Sequence, residues 1–491
     1  MDTISRRRLL ASLAAVPAAL RSAEDGWTPL FDGKSLDGWT PSESKNSWKV
    51  VDGMLAGDGP RSHLFYTGPV RGGVFKNFEL KLDVMTRPQC NSGIYFHTRF
   101  QPSGFPRQGF EVQINNSALG EGSYRERKKT GSLYGVRNVY KAFVRDSEWF
   151  QVHISVRGKQ VQVRLNGVLL VDYVEPDPPV PDPDEPGRIL TTGTFALQCH
   201  DPGSKMFYRN ILVRPLPDDL VVDVPRPVVD DTYRRIRTLS SRNYPVVDYH
   251  VHLKGGWTLE QALRYSREVG IGYGIAVNCG VGFPITNDAS AEQFLKSMEG
   301  QPVFVAMQAE GREWVKMFSP QTVAKFDYVF TDSMTFTHNG RRIRLWIPKE
   351  VGPIDDKEAF MDVIVDRTVE ILLNEPIDIY VNPTFLPSVM EADYDRLWTP
   401  ERMERVIAAA KKNDVAIEIN NRYRIPSAKF IKAAKAAGLK FSFGTNNDDS
   451  NIGRLEYALE MVEECGLRWQ DIFVPKPDGE KPVQKRGLPK A

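Results

Sequence analysis

The chain has 491 residues, more than one ordinary hydrophobic core supports, so two domains are expected. Its 64 Lys and Arg residues nearly balance 62 Asp and Glu residues, which gives a formal charge of +2. Basic residues gather only near the N-terminus, and this argues against a nucleic-acid partner or a polybasic contact with a membrane surface.

The first residues have the pattern of an export signal. Three arginines at 6–8 precede an apolar stretch over 9–20, as in a secretory signal peptide. The sequence SRR at 5–7 resembles the twin-arginine export motif. We predict a signal over 1–23 and a periplasmic or extracellular protein, in preference to an amphipathic helix or a membrane anchor. The stretch is too short to span about 30 Å of hydrocarbon, and no later segment is apolar enough, so no integral membrane segment is expected in the mature chain.

Four cysteines are spread along the chain without a Cys-x-x-Cys pair. This spacing excludes zinc-finger and thioredoxin chemistry. Cys90 and Cys199 can form a disulfide in an oxidising compartment or remain buried thiols, and the sequence leaves both open.

Residues 26–217 show the pattern of an all-β domain, with short alternating segments separated by Gly, Pro and Asn. In NFELKLDVM, four apolar residues from Phe78 to Val84 alternate with charged ones, as a half-buried strand requires. Asn166-Gly167 predicts a tight hairpin turn. The number and length of the segments predict a two-sheet jelly roll.

Three of these strands carry unusual polar residues on one side. These residues are Tyr95, His97 and Arg99 in the first strand, Glu111 and Gln113 in the second, and Gln198 and His200 in the third. If the strands are neighbours, the residues form a platform of rings, donors and acceptors suited to sugars. The alternative is three ordinary solvated faces.

A string of motifs in this region resembles one family. In order, they are GWTPLFDGKSLDGW from Gly26, WKVVDGML, NFEL, NSGIYF, GFEVQI, TGSLYG, LNG and FYRNILVRPL. Together they resemble the 3-keto-disaccharide hydrolase domain, which has a concanavalin-like jelly-roll fold. The resemblance implies a carbohydrate substrate and hydrolysis of a glycosidic bond. The Pro-rich stretch from Glu175 is interpreted as an inserted loop.

The chemistry of a 3-keto sugar assigns roles to the platform. Ordinary glycosidases need two carboxyl groups about 5 to 9 Å apart, whereas the platform offers Glu111, with Asp201 at the edge of a loop. A ketone at C3 acidifies the C2 proton, so one base and one proton donor suffice for elimination, after which water adds back. We predict Glu111 as base, His200 or His97 as acid, and Gln113, Arg99, Tyr95 and Gln198 as substrate-binding residues. The alternative is that these residues bind glycan without chemistry.

After a linker over 218–227, residues 228–476 alternate apolar strands with helical stretches, the signature of parallel βα units. Seven candidate strands predict a small TIM-like α/β barrel, followed by a tail over 477–491. In such barrels, functional residues lie at the C-terminal ends of the strands.

His250 and His252 end the first of these strands, and their spacing of two suits metal ligation. The domain resembles the polymerase and histidinol phosphatase (PHP) family of metal-dependent phosphoesterases, which implies Glu310 as a third ligand. Most other family ligands are replaced, with Cys279, Asn382 and Asn446 in their places. The resemblance therefore predicts at most one divalent ion of the zinc or manganese type, or a relic barrel without metal. Asp332, Glu418 and Asp448 are carboxylates that could complete a different ligand set.

Three interpretations of the whole chain follow. The first is an exported hydrolase whose jelly roll cleaves 3-keto glycosides. The second is a glycan-binding jelly roll that delivers a metal-dependent barrel to carbohydrate, and the third has two binding domains without chemistry. In each case the two domains are expected to couple weakly, as separate domains do unless their interface is large.

Overall fold

The structure is a computed structural model that describes residues 26–120, 122, 124–448 and 451–489. The predicted signal over 1–23 lies outside these residues. No helix among them is both long and apolar enough to cross a membrane. The four cysteines are buried free thiols, so the structure has Cys90 and Cys199 in the unpaired form.

Two antiparallel sheets form the first domain, as the alternation predicted. The strands are β1 (Thr28–Pro29), β2 (Trp39–Pro41), β3 (Trp48–Val51), β4 (Met54–Asp58), β5 (Ser62–Tyr66), β6 (Phe78–Thr86), β7 (Ser92–Thr98), β8 (Phe110–Ile114), β9 (Phe150–Arg157), β10 (Gln160–Leu165), β11 (Val168–Val174), β12 (Thr194–Cys199) and β13 (Lys205–Pro215). One sheet has the order β11-β10-β9-β6-β13-β4-β3, with β1 paired to β13, and the other has the order β2-β5-β12-β7-β8. Apolar side chains of both sheets fill one core between them.

The second domain contains a closed barrel of seven parallel strands, in the order β14-β15-β16-β17-β20-β21-β22. All seven coincide with the candidate strands of the sequence. The strands are β14 (Val247–Val251), β15 (Gly272–Cys279), β16 (Phe304–Ala309), β17 (Tyr328–Thr331), β20 (Ile379–Tyr380), β21 (Ala416–Asn420) and β22 (Phe441–Gly444), with a separate hairpin of β18 (Thr335–His338) and β19 (Arg341–Arg344).

Helices surround the barrel. They are α1 (Asp231–Ser241), α2 (Leu259–Val269), α3 (Asp288–Ser297), α4 (Pro320–Val323), α5 (Pro348–Val351), α6 (Lys357–Asn374), α7 (Tyr394–Leu397), α8 (Pro400–Lys412), α9 (Ala428–Ala436), α10 (Glu456–Glu464) and α11 (Pro482–Arg486). Most of the long helices begin at side-chain caps, such as Thr258 before α2, which accepts a hydrogen bond from the Gln261 amide. Helix α11 gives the predicted tail a structure of its own, and Lys481 just before it donates to the Ala324 carbonyl at 2.6 Å.

The two domains meet where a jelly-roll loop covers the N-terminal end of the barrel. This loop follows β8, and its Tyr140 is buried in the same apolar cluster as the interior barrel residues Tyr249 and Phe304. The Tyr140 hydroxyl donates to the Tyr244 carbonyl at 2.8 Å. The opposite, C-terminal end of the barrel is therefore the end that can be open to ligands.

Candidate functional site

The predicted platform is present on one side of the five-stranded sheet, and we call this side the polar face. Tyr95 on β7 is paired with Glu111 on β8 and with Ala196 on β12. Gln198 on β12 is paired with His63 on β5. The intervening apolar residues lie in the core between the sheets. The alternation therefore assigned Tyr95, Glu111 and Gln198 to one face correctly, because the side-chain period of a strand is two.

Glu111 lies buried in this face, with 5% of its surface exposed. Burial raises the pKa of its carboxyl to about 7, while Arg188 and the facing Tyr95 hydroxyl act in the opposite direction. Gly93 on the neighbouring strand makes room for the group, since a β-carbon there would collide with the carboxylate. A carboxyl that titrates near neutral pH is suited to proton abstraction.

Gln113 is the second residue of β8 on the polar face. It is buried, and its side-chain amide donates to Asn91 Oδ1 at 3.0 Å. The amide is thus held in place beside Glu111, where a fixed donor and acceptor can orient a sugar hydroxyl.

Arg188 reaches Glu111 from the end of the Pro-rich loop. Its Nη2 lies 4.0 Å from Glu111 Oε2, and its side chain is 9% exposed. The preceding Gly187 packs directly against the Arg107 carbonyl and accepts a hydrogen bond from the Gly109 amide at 3.0 Å. The stretch interpreted as an inserted loop therefore delivers a charge to the site. No periodic pattern predicts the position of Arg188, because an irregular loop has no repeating face.

His97 does not lie on the polar face, which corrects the prediction. The β7–β12 register shifts next to it, and its φ is +54°, so a β-bulge reverses the alternation at this point. The ring instead lies near Phe78, with centroids 5.8 Å apart, and its Nε2 is 2.8 Å from the Lys76 carbonyl. Burial lowers the pKa of His97 to about 4, so the ring is neutral at physiological pH.

Arg99 and His200 also differ from expectation. Arg99 lies just beyond the end of β7 and is exposed. His200 lies at the margin of the face, where its Nδ1 is 2.8 Å from Asp201 Oδ2 and its side chain is 33% exposed. Its ring packs beside Phe105, with centroids 5.3 Å apart. His200 can therefore meet a ligand at the edge of the site.

His63 is a site residue that the sequence analysis missed. It is fully buried on β5, and its ring centroid is 5.5 Å from that of Tyr95. Burial lowers its pKa to about 3. Within the described chain, His63 Nδ1 and Gln198 Oε1 are buried without a hydrogen-bond partner. The Gln198 oxygen can accept a hydrogen bond from a ligand hydroxyl, whereas His63 Nδ1 carries the ring proton and can donate when Nε2 accepts from the Gln198 amide, 3.4 Å away. The alternation in SHLFY was the available signal, since Leu64 and Tyr66 face the core.

One known family model matches the jelly-roll region. Residues 26–214 match the model of the 3-keto-alpha-glucoside-1,2-lyase-like domain. The match covers the jelly roll and stops before the barrel. No curated protein sequence matches the chain.

Several solved structures resemble the same region. A proposed glycosyl hydrolase from Parabacteroides distasonis is 24% identical, over 40% of this chain and 96% of the other, with a TM-score of 0.34. A carbohydrate-binding module from Bacillus subtilis is 12% identical over 36% and 95%, with a TM-score of 0.23. A galectin-like protein of unknown function from Bacillus subtilis is 12% identical over 38% and 94%, with a TM-score of 0.29.

The barrel carries a buried polar layer at its C-terminal mouth. A register shift in β14 turns His250 inward, with its ring centroid 4.6 Å from that of the interior Phe330. His250 Nδ1 lies 2.6 Å from Glu418 Oε1, and the His250 and His252 ring centroids are 5.3 Å apart. The predicted direction of the two histidines, into the mouth, therefore matches the structure.

The predicted set His250, His252 and Glu310 is not assembled as a metal site. Glu310 Oε1 accepts hydrogen bonds from the amides of Asn278 at 2.8 Å and Gln308 at 3.0 Å. In the described part of the chain, no three His, Cys, Asp or Glu side chains are placed to hold a metal ion. Both amides donate to Oε1 of Glu310, and the Thr335 hydroxyl donates to Oε2 at 3.3 Å. Metal binding by the barrel stays a prediction of the sequence.

The residues expected in place of lost ligands divide into two groups. Asn382 and Asn446 do lie at the mouth, where the Asn446 amide donates to Asn382 Oδ1 at 3.1 Å. Cys279 does not, since its side chain is buried in the outer apolar core between strands and helices. Cys279 stands at the position of a family ligand in the sequence, but its side chain points away from the mouth.

Proposed function

We propose that the jelly-roll domain cleaves the glycosidic bond of 3-keto glycosides by base-assisted elimination followed by hydration, in an exported protein. The single observation that carries this proposal is the buried Glu111, whose pKa of about 7 suits a base at neutral pH. The match of residues 26–214 to a 3-keto-glucoside lyase-like model supports the same substrate class.

In the proposed reaction, Glu111 acts first as the base. The ionised Glu111 takes the proton from C2, and the C2–H electron pair forms the C1–C2 double bond conjugated with the C3 ketone. The bond between C1 and the leaving oxygen breaks, and that oxygen receives a proton from His200 at the margin of the face. Water then adds its hydroxyl to C1 while His200 takes the remaining water proton, and Glu111 gives a proton, exchangeable with solvent, to C2. Both groups return to their starting states, and the net change is hydrolysis.

The residues around Glu111 have supporting roles in this proposal. Gln198, whose amide donates to the Tyr95 hydroxyl at 3.0 Å, and Gln113 orient the sugar hydroxyls. Arg188 stabilises the ionised form of Glu111 by its charge. A fixed set of dipoles in a buried site favours the transition state without reorganisation.

Glu111→Gln in the full-length protein tests the proposal, with a 3-keto-α-glucoside as substrate. Loss of the base is expected to lower kcat by about 10² to 10⁴. Glu79→Gln is the matched control, because Glu79 is equally buried in the opposite sheet at 3% exposure but lies away from the polar face. That variant should lose stability, through its ion pair with Arg214, and keep its turnover per folded molecule.

Reaction in D2O distinguishes elimination from direct displacement at C1. Elimination places deuterium at C2 of the product, faster than in enzyme-free and Glu111→Gln controls. Saturable binding of the 3-keto glycoside without any turnover by the wild-type protein would support the glycan-binding alternative instead. Full activity of Glu111→Gln would remove Glu111 from the mechanism.

A further inference from the structure

Asn243, a residue of the barrel domain, holds the jelly-roll loop that borders Glu111. It follows helix α1, and its Oδ1 accepts a hydrogen bond from Lys128 Nζ at 3.1 Å. Its Nδ2 donates to the Arg125 carbonyl at 2.6 Å. Asn243 is 4% exposed and has a φ of +66°, a left-handed conformation that Asn and Gly adopt more readily than most residues. One side chain therefore fastens the loop at two points.

The Lys128 ammonium is buried. Its side chain is 1% exposed, and its Nζ lies 3.5 Å from Oε1 of Glu126, which is also buried. The same ammonium lies 4.3 Å from the centroid of the Tyr134 ring. A buried ammonium needs all of its partners, since water cannot replace them. Loss of the Asn243 oxygen would therefore disturb Lys128 and its neighbours.

This cluster is joined to the catalytic carboxyl by direct contacts. Glu126 Oε2 accepts a hydrogen bond from the Tyr134 hydroxyl at 3.2 Å. The Tyr134 ring lies 5.4 Å from the Arg188 guanidinium, and Arg188 is the cation next to Glu111. The Tyr134 amide also donates to the Glu111 carbonyl at 2.9 Å. Tyr134 thus connects the clamped loop to both the strand and the counter-ion of Glu111.

From these contacts we infer that the barrel domain completes the glycoside site of the jelly roll, with Asn243 as a positioning residue for Glu111. The inference depends on the proposed function for its catalytic meaning. It replaces the expectation of weakly coupled domains, because the interface reaches a buried charge cluster next to the site. Asn243 contacts no reacting atom and acts through Lys128, Tyr134 and Arg188.

The direction of the effect follows from the charges around Glu111. The ionisable groups near it on neighbouring elements are Tyr95, Tyr124, Glu126, Lys128, Tyr134, Glu185, Arg188, His200 and Tyr208. Glu126 raises the pKa of Glu111, and Arg188 lowers it. A displaced Lys128 would neutralise Glu126 less, and a displaced Tyr134 would loosen Arg188. Both changes raise the pKa of Glu111.

The experiment uses three variants of the full-length protein. Asn243→Gly keeps the left-handed backbone and removes the clamp, whereas Asn243→Asp keeps an oxygen for Lys128 and loses the donor to Arg125. Lys141→Met is the matched control, because it removes another contact between the domains, the 2.6 Å ion pair with Asp327. The readouts are the Tm, the acidic limb of kcat/KM for a 3-keto-α-glucoside, and the titration of Glu111 followed by its protonated-carboxyl infrared band, with Glu111→Gln as the blank.

We expect Asn243→Gly to move the Glu111 midpoint and the acidic limb upward by about half a pH unit and therefore to lower kcat/KM at pH 7 about twofold, and about threefold well below the midpoint. Asn243→Asp should have a Glu111 midpoint close to that of the wild-type protein. Lys141→Met should change the Tm and leave the midpoint and kcat/KM unchanged. An unchanged midpoint in Asn243→Gly, or an equal shift in Lys141→Met, would overturn the inference. If the wild-type protein cleaves nothing, the proposed function fails, while the infrared titration still decides the role of Asn243.

Discussion

The buried Glu111 carboxyl should make the protein less stable at alkaline pH, and Glu111→Gln should remove this effect. Burial raises its pKa from the ordinary value of 4.5 to about 7. A raised carboxyl pKa favours the folded state below the unfolded pKa, and the advantage is lost as pH rises through the folded pKa. At about 1.4 kcal/mol per pH unit, this interval corresponds to about 3 kcal/mol. The wild-type protein should therefore lose about 3 kcal/mol between pH 4.5 and pH 8 from this one group.

The assay is urea unfolding of the wild-type protein and of Glu111→Gln at several pH values between 4.5 and 8. The difference between the two proteins should change by about 3 kcal/mol in favour of the variant as pH rises. Any pH-independent effect of the new amide, such as an altered contact with Arg188, cancels in this comparison. A difference that stays constant with pH would refute the reasoning, because it would mean that Glu111 titrates alike in the folded and unfolded states.

Four further predictions concern the site and the domain contact. Arg188→Met should raise the acidic limb of the kcat/KM profile, because Arg188 lowers the pKa of Glu111, and an unmoved limb would remove that role. Gly93→Ala should abolish turnover while the chain still folds, since the added methyl collides with the carboxylate; circular dichroism and activity together check this, and retained turnover would contradict it. Tyr140→Ala should lower the free energy of unfolding by about 3 to 5 kcal/mol and Tyr140→Phe by about 1 kcal/mol, and equal losses would show that the ring does not fill the barrel. Metal analysis of protein purified without chelator should find less than one ion per chain, because amides occupy Glu310; a stoichiometric ion removed by His250→Ala would instead support the metal prediction.

The sequence predicted most of the fold because its signals were periodic. The alternation around Glu111 and Gln113 assigned their face, and apolar runs located all seven barrel strands. His97 was misplaced because a bulge adds one residue to β7, and nothing in NSGIYFHTRF marks that residue as the extra one. Arg188 was missed because its position depends on an irregular loop. Short-range pattern determines the face of a residue only while the strand stays regular.

The metal prediction shows a different limit. The spacing of His250 and His252 did predict their shared direction, and the bulge in β14 still leaves both at the mouth. The partners of Glu310 come from β15, β16 and β18, and a residue match to a family does not reveal that Asn278 and Gln308 would donate to its Oε1. Ligand sets depend on contacts between distant strands, which a single sequence does not display.

The Tyr140 ring, buried in the finished structure, is exposed while the chain is still being synthesised. The jelly roll leaves the ribosome first because synthesis runs from the N-terminus, and an N-terminal domain generally folds before the rest of the chain is made. At that stage the barrel strands that later bury the Tyr140 ring have not been made. The nascent domain therefore exposes the apolar ring of Tyr140 until the strands from residue 247 onward close around it. We expect a chain ended at residue 227 to bind a hydrophobic dye and to aggregate, and the same chain with Tyr140→Ser to do so much less. Equal dye binding by the two shortened chains would show that the exposed Tyr140 ring does not cause dye binding in the absence of the barrel.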